Sequence, residues 1–400
     1  MRNNKQKVKI KQLLLKPLPK GVLKYRYSFN TTDIGALHQK AYKQNEINLP
    51  QPFKSVYNFY TLLFWFLFLA WKLTWKIWRK KSKELYHTKQ IHPLKQLRDL
   101  LKLSFVFTSL PVMYYRLNLY NYKSADWHTF IFTHELPGWH KMMSPKISLQ
   151  TKTLLSNKNL FAQYMGKIGV PVITDCTILQ RQKITAQQLF LKSSLFIKPV
   201  DGSKQIDNYP MYYDAQTSSY QLMINKDKSL INEMEIMEFI NDLLTRKSYL
   251  FQPLLQNHPN TQVLTEIKDL ITIRLVTINK AEEFKAISAV LEIPLRNHTK
   301  NYCILPIDME SGTVKHFDEN EFKLPLFDTI DFNLLKDYKL PRWKEVKDCG
   351  LHAHQQMPDV FSVGWDVAIT TNGVVLIEGN FNWDVSPHQK NGPTLIQNFA

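Results

Sequence analysis

Near the C-terminus, two apolar runs, Val363-Gly364-Trp365-Asp366-Val367-Ala368-Ile369-Thr370 and Val374-Val375-Leu376-Ile377-Glu378-Gly379-Asn380, flank Thr371-Asn372-Gly373. β-Branched runs separated by Asn-Gly predict two antiparallel strands joined by a tight turn. A three-residue loop, 371–373, would hold Gly373 in the left-handed conformation of a bulge. Thr370 then faces Val374, and counting back sets Asp366 opposite Glu378. The alternative is a two-residue loop of Asn372 and Gly373, which would send the two acids to opposite faces.

Upstream, Asn157-Lys158-Asn159 opens a predicted helix over 160–168 that Gly169 closes. Val170-Pro171-Val172-Ile173 starts a strand. Further strands are predicted over 194–200, 249–255, 269–277 and 284–291, with a helix over 231–247 and another around His352. Residues 92–120 begin as a helical pattern, and 127–145 are aromatic and turn-rich. Strand-rich stretches with helices between them indicate an α+β fold. Four regions follow: 1–90, a basic arm with an apolar aromatic helix; 91–150, helical and irregular; 151–248 and 249–400, two α+β lobes.

Charge sharpens the first region. Residues 1–100 hold 21 Lys and Arg against 4 acids, whereas the other 300 hold 31 against 30. Within the basic part, residues 55–71 carry no charge and include Phe59, Leu63, Trp65, Leu67 and Phe68. As a helix this run is about 25 Å long, against a hydrocarbon core of about 30 Å. Trp71, Trp75, Trp78 and the lysines and arginine among them match a headgroup boundary on the cytoplasmic side. Residues 51–83 are therefore expected to lie on or in an anionic membrane surface, with a buried core helix as the alternative. Basic residues framing an apolar run argue against a nucleic-acid groove. Three widely spaced cysteines give neither a zinc motif nor a disulfide framework, which fits a reducing cytoplasm.

Candidate chemistry centres on charges inside apolar strands, where a carboxylate or cation needs a partner. Asp366 and Glu378 on one face, with Asn380 two residues on, form an all-oxygen patch suited to magnesium. Ordinary solvated acids on a half-exposed hairpin are the plain alternative. Lys198, before the Gly202-Ser203 turn, would meet an anion, phosphate above all, because turn amides add positive partial charge. A strand-end lysine reaching to solvent is the alternative. Arg274 needs a carboxylate or a phosphate, and an ion pair with Glu378 would also satisfy it. Gln252-Pro253-Leu254-Leu255 could offer backbone to a flat heterocycle such as adenine. His352 and His354 sit two apart on a helix and do not converge, so a solvated face is expected.

In order, Lys158, Phe-Ile-Lys198-Pro-Val-Asp-Gly-Ser203, Gln252-Pro-Leu-Leu, Thr-Ile-Arg274-Leu-Val-Thr and Trp-Asp366…Ile-Glu378-Gly-Asn380 resemble the ATP-grasp fold. The closest branch is the sugar-transfer-associated ATP-grasp proteins, over roughly residues 100–395. The resemblance implies two lobes clasping ATP. Lys158, Lys198 and Ser203 would hold the phosphates, residues 252–255 the adenine, and Arg274 the transferred phosphate. Asp366, Glu378 and Asn380 would bind Mg2+. It also implies an ATP-dependent carboxylate–amine ligase working on a surface-polysaccharide precursor at the inner face of the cell membrane. Lys204-Gln205-Ile206-Asp207-Asn208 and residues 296–301 hold fewer glycines than such proteins carry. A catalytically weak or inactive membrane-associated scaffold is the alternative.

Overall fold

The computed structural model describes residues 33–45, 50–174, 177–179, 183–200, 207–225, 228–295, 302–317, 327–390, 392 and 394–399. The chain divides into two compact units, one of Met1–Pro145 with Asn382–Ala400, the other of Lys146–Phe381.

The first unit is helical. It contains α1 (Asp33–Asn45), α2 (Phe53–Lys89), α3 (Pro93–Phe105), α4 (Val112–Arg116) and α5 (Leu136–Met143). A turn of π-helix, Trp65–Leu69, interrupts the α pattern of α2. Gln90 ends α2 in the left-handed conformation at φ 56°. Pro93 then starts α3, where the missing N–H is no loss, and the His92 side chain accepts from Leu94 N. Gln96, fully buried, clamps the hairpin: its amide donates to Ser82 O at 3.0 Å and Ile91 O at 2.7 Å, and its oxygen accepts from Tyr115 at 2.8 Å. Leu100, Leu103, Phe107, Tyr114, Trp127 and Phe130 form the core of this unit.

The second unit holds two antiparallel sheets. The first has the order β1-β6-β2-β3-β4-β5, with β1 Thr177–Leu179, β2 Leu195–Pro199, β3 Tyr209–Asp214, β4 Ser219–Asn225, β5 Lys228–Leu230 and β6 Tyr249–Pro253. Ile197, Met211, Leu222 and Phe251 share a core with Ile236, Ile240 and Leu244 of a helix, Glu233–Arg246 (α8). Before it come α6, Leu149–Ser156, and α7, Lys158–Lys167. Asn157 caps α7 by accepting from Asn159 N and Leu160 N, and Gly169 follows at φ 79°.

The second sheet has the order β11-β10-β7-β8-β9, with β7 Thr272–Lys280, β8 Glu283–Pro294, β9 Tyr302–Ile307, β10 Ser362–Thr370 and β11 Gly373–Asn380. Every residue of β10 is buried, as its near-continuous apolar run requires. A helix, Trp343–Gln355 (α9), covers one face. Gly350 permits the close approach: a β-carbon there would sit 2.6 Å from Leu275 Cδ2 and 3.2 Å from Trp365 Cδ1.

Two expectations need correction. Residues 170–173 form no strand of their own. Val172 makes a parallel bridge to Leu376, and Leu376 N donates to Pro171 O at 2.7 Å, so the segment borders β11. His354 is fully buried, not solvated. Thr277 Oγ1 lies 2.7 Å from its Nδ1, Val360 O lies 2.9 Å from its Nε2, and Trp365 Nε1 donates to Thr277 Oγ1 at 2.7 Å. Packing of α9 against β7 and β10 encloses the imidazole, which helical spacing alone does not reveal.

Candidate functional site

β10 sets Asp366 between Arg274 on β7 and Glu378 on β11, each directly opposite it. Residues opposite each other share a face, so the three side chains meet. The expected pairing of Asp366 with Glu378 holds, but the turn does not. Thr370 faces Gly373 across a two-residue loop, Thr371 and Asn372. Thr370 Oγ1 accepts from Asn372 N at 3.2 Å and donates to Gly373 O at 2.9 Å, which fixes the shorter turn. Gly373 takes φ 123°, a conformation that costs a residue with a β-carbon. The register then slips between Asp366 and Val367: Val367 faces Leu376 while Asp366 faces Glu378, leaving Ile377 as the extra residue of a β-bulge. Shortened turn and bulge offset each other.

Arg274 Nη2 donates to Asp366 Oδ2 at 3.1 Å, and Nε contacts Oδ1. Glu292 Oε2 lies 3.7 Å from Arg274 Nη2. Sequence reasoning missed Glu292 because it ended that strand at Leu291. The strand runs on to Pro294, and Glu292 lies between buried Leu291 and Ile293, the same signal that marked Asp366. Burial works against the Arg274 charge, and Asp366, Glu292 and Glu378 more than reverse that. Burial pushes Asp366 well above the usual carboxylate range; Arg274 opposes the rise, and Glu378 and Glu292 add to it. Three carboxylates thus face one guanidinium, and the cluster is short of positive charge.

This deficit is what a divalent cation would fill. Asn380 Nδ2 donates to Glu378 Oε1 at 3.2 Å, which commits the amide nitrogen and leaves the oxygen as a ligand. Among the described residues no group of three or more His, Cys, Asp or Glu side chains makes a ready-built metal cage. Two carboxylates and an amide fit magnesium better than zinc, since magnesium keeps water and substrate phosphate among its ligands.

A pocket in the same unit brings together Lys158, Lys198 and Gln252, with Leu250, Leu376 and Ile377 as apolar lining. The bulge lets successive residues Leu376 and Ile377 both line it, while Glu378 goes to the charged cluster. Lys198 is buried, with Nζ 6.0 Å from the centre of the Phe196 ring. β6 pairs with both β1 and β2, and after Pro253 the Leu254 N–H donates to Ser194 O at 3.0 Å. Pro253 is exposed, and Leu254 and Leu255 are half-buried. Ser203, the Gly202 turn, Lys204-Gln205-Ile206 and residues 296–301 lie outside the described residues.

Two sheets in one unit, an acid–arginine cluster on one of them and a pocket with two lysines describe an ATP-grasp architecture. The family model described as sugar-transfer associated ATP-grasp matches residues 144–399, and the chain belongs to that family. The resemblance drawn from the sequence is borne out. Solved structures with similar chains include D-alanine-D-alanine ligase from Coxiella burnetii, at 14% identity and TM-score 0.34, covering 58% of this chain and 49% of that one. The Helicobacter pylori D-alanine-D-alanine ligase gives 15%, 0.35, 63% and 63%. VanG D-Ala:D-Ser ligase from Enterococcus faecalis gives 12%, 0.38, 63% and 62%. The chain spans from about half to just under two thirds of these proteins' own lengths. Family membership rests on the sequence match and not on these likenesses. No curated protein matches the chain.

Proposed function

We propose that this protein is an ATP- and magnesium-dependent ligase. It joins a carboxylate to an amine through an acyl-phosphate, on a cell-surface polysaccharide precursor or its substituent, at the cytoplasmic face of the membrane. The observation that carries this is the charge-deficient cluster of Arg274, Asp366, Glu378 and Glu292, in one unit with a pocket that holds Lys158 and Lys198.

In this proposal Lys158, Lys198 and Ser203 bind the nucleotide phosphates, and residues 252–255 hold the adenine. Arg274 steadies the phosphoryl group as it passes to the carboxylate oxygen, with ADP leaving. Attack by the amine on the acyl carbon then releases phosphate. Mg2+ on Asp366, Glu378 and Asn380 would supply charge neutralisation. Phosphoryl transfer is mainly positioning and neutralisation, which is what these residue types provide. The lobes proposed are 151–248 and 249–400, although strand Tyr249–Pro253 lies inside the first sheet, between β1 and β2; 1–90 and 91–150 form the membrane arm and N-terminal domain.

Isothermal titration with a non-hydrolysable ATP analogue and Mg2+ tests this. Saturable, magnesium-dependent binding by the full chain is expected, with clear weakening in Lys198→Ala and Glu378→Gln. No binding by the intact protein would sink it. The glycine-poor run Lys204-Gln205-Ile206-Asp207-Asn208 favours a second reading, a membrane-associated scaffold with weak or no catalysis. ATP turnover above background that is lost in Asp366→Asn removes that alternative.

A further inference from the structure

Helix α2 has two faces of different character. Along one, Tyr57, Thr61, Trp65, Ala70, Thr74, Ser82 and Leu85 are buried. α3 meets its later part: Trp65 Nε1 donates to Ser104 O at 2.9 Å, Thr74 and Ser104 hydroxyls lie 2.9 Å apart, and Trp78 Nε1 donates to Pro93 O at 2.9 Å. The other face is exposed and divided along the helix axis. In its first half Val56, Phe59, Leu63, Leu67 and Phe68 are 65%, 62%, 42%, 61% and 59% exposed. In its second half Lys72, Lys76, Arg79, Lys80 and Lys83 are exposed. Trp71 and Trp75, 55% and 54% exposed, stand at the junction.

The helix is long and apolar enough by composition to cross a bilayer. Its packed side argues against crossing. The α3 partner carries Lys95, Arg98, Asp99 and Lys102, and a span must turn apolar surface to lipid all round. The axial division also differs from that of a helix lying flat, where cations flank a continuous apolar stripe. Self-association fits poorly. Antiparallel pairing of this face would lay five cations on the partner's hydrocarbon, and parallel pairing would stack cation on cation.

We infer that α2 is a monotopic, oblique membrane seat for an anionic leaflet. Its first half enters the acyl region, Trp71 and Trp75 sit at the headgroup boundary, and Lys72, Lys76, Arg79, Lys80 and Lys83 meet lipid phosphates. This deepens the membrane location proposed above and is independent of the ligase chemistry.

The test is flotation of the full chain with vesicles of phosphatidylcholine alone or with 30% phosphatidylglycerol (roughly the anionic level at which surface charge acts). Binding is expected on the anionic vesicles. Lys76→Gln, Lys80→Gln and Lys83→Gln together should reduce it on the order of a hundredfold. Leu63→Glu with Leu67→Glu should abolish it on the anionic vesicles; these side chains are exposed, so the fold survives. A polarity-sensitive dye on Leu63→Cys should shift to the blue on binding and one on Arg79→Cys should not, with Cys176, one of the chain's three cysteines, replaced by Ser and the buried Cys303 and Cys349 kept. Equal binding to neutral vesicles, blue shifts at both sites, salt-sensitive RNA binding in place of flotation, or a concentration-dependent dimer without flotation each overturns the seat. ATP-analogue binding measured on the same variants separates these failures from failure of the ligase proposal.

Discussion

Trp365 and Asp366 are neighbours on β10, point to opposite faces of one sheet, and enter opposite kinds of polar environment. On the Trp365 side the indole donates to Thr277, and Thr277 and Val360 serve the two nitrogens of His354. Each polar group in that chain has a partner, and none needs to be charged. On the Asp366 side three carboxylates crowd one arginine. A closed neutral network under a helix rigidifies a core, whereas a buried cluster with more carboxyl groups than cations keeps opposing charges crowded together. Polar burial alone therefore does not make a candidate site; unbalanced charge does.

The largest expected effect tests the open face. Glu378→Gln should lower metal-dependent ATP turnover on the order of a thousandfold while leaving thermal stability unchanged or raised. Turnover by steady-state assay and melting by calorimetry read both. A stability loss with turnover intact would make this cluster structural, like its counterpart.

Acid should strike the closed face. Burial pushes His354 from 6.5 down to about 4, against the pull of the Val360 hydrogen bond. Between those pH values the unfolded chain takes up a proton that the folded chain does not. Stability should therefore fall as pH drops from about 6.5 to about 4, by on the order of 3 kcal/mol in total. Denaturant titrations across that range should show the slope, and His354→Gln should flatten it.

Gly379→Ala probes the point where the faces meet. A β-carbon there would sit 2.4 Å from Trp365 Cζ3 and 3.1 Å from Leu155 Cδ2, so overpacking should cost about 2 kcal/mol by urea denaturation. Trp365→Phe removes the N–H from Thr277 and should cost about 1 kcal/mol, with nucleotide affinity unchanged. A large loss of affinity there would mean the two faces are coupled.

The open face was legible because charges inside apolar runs stand out: Arg274, Asp366 and Glu378 were all found that way. Glu292 escaped because strand ends are poorly marked, and the predicted strand stopped at Leu291, one residue short of it. The closed face was not legible. His354 lies on a helix whose covered side depends on the packing of Gly350 against Leu275, a tertiary contact with no local signature. The α7 cap was readable from Asn157, because capping is a property of neighbouring residues. The hairpin turn was misplaced by one residue. The bulge hides among apolar Leu376 and Ile377, where either could be the extra one.

That bulge gives the hairpin slack. The tip keeps one phase of pairing and the carboxylate end another, with Ile377 as the point of reset. A descendant losing one residue at the tip could close the bulge, keep a two-residue loop and still hold Asp366 against Glu378. Insertions and deletions at the turn are thereby decoupled from the acidic pair, so the loop can drift in length across generations while the chemistry keeps its spacing.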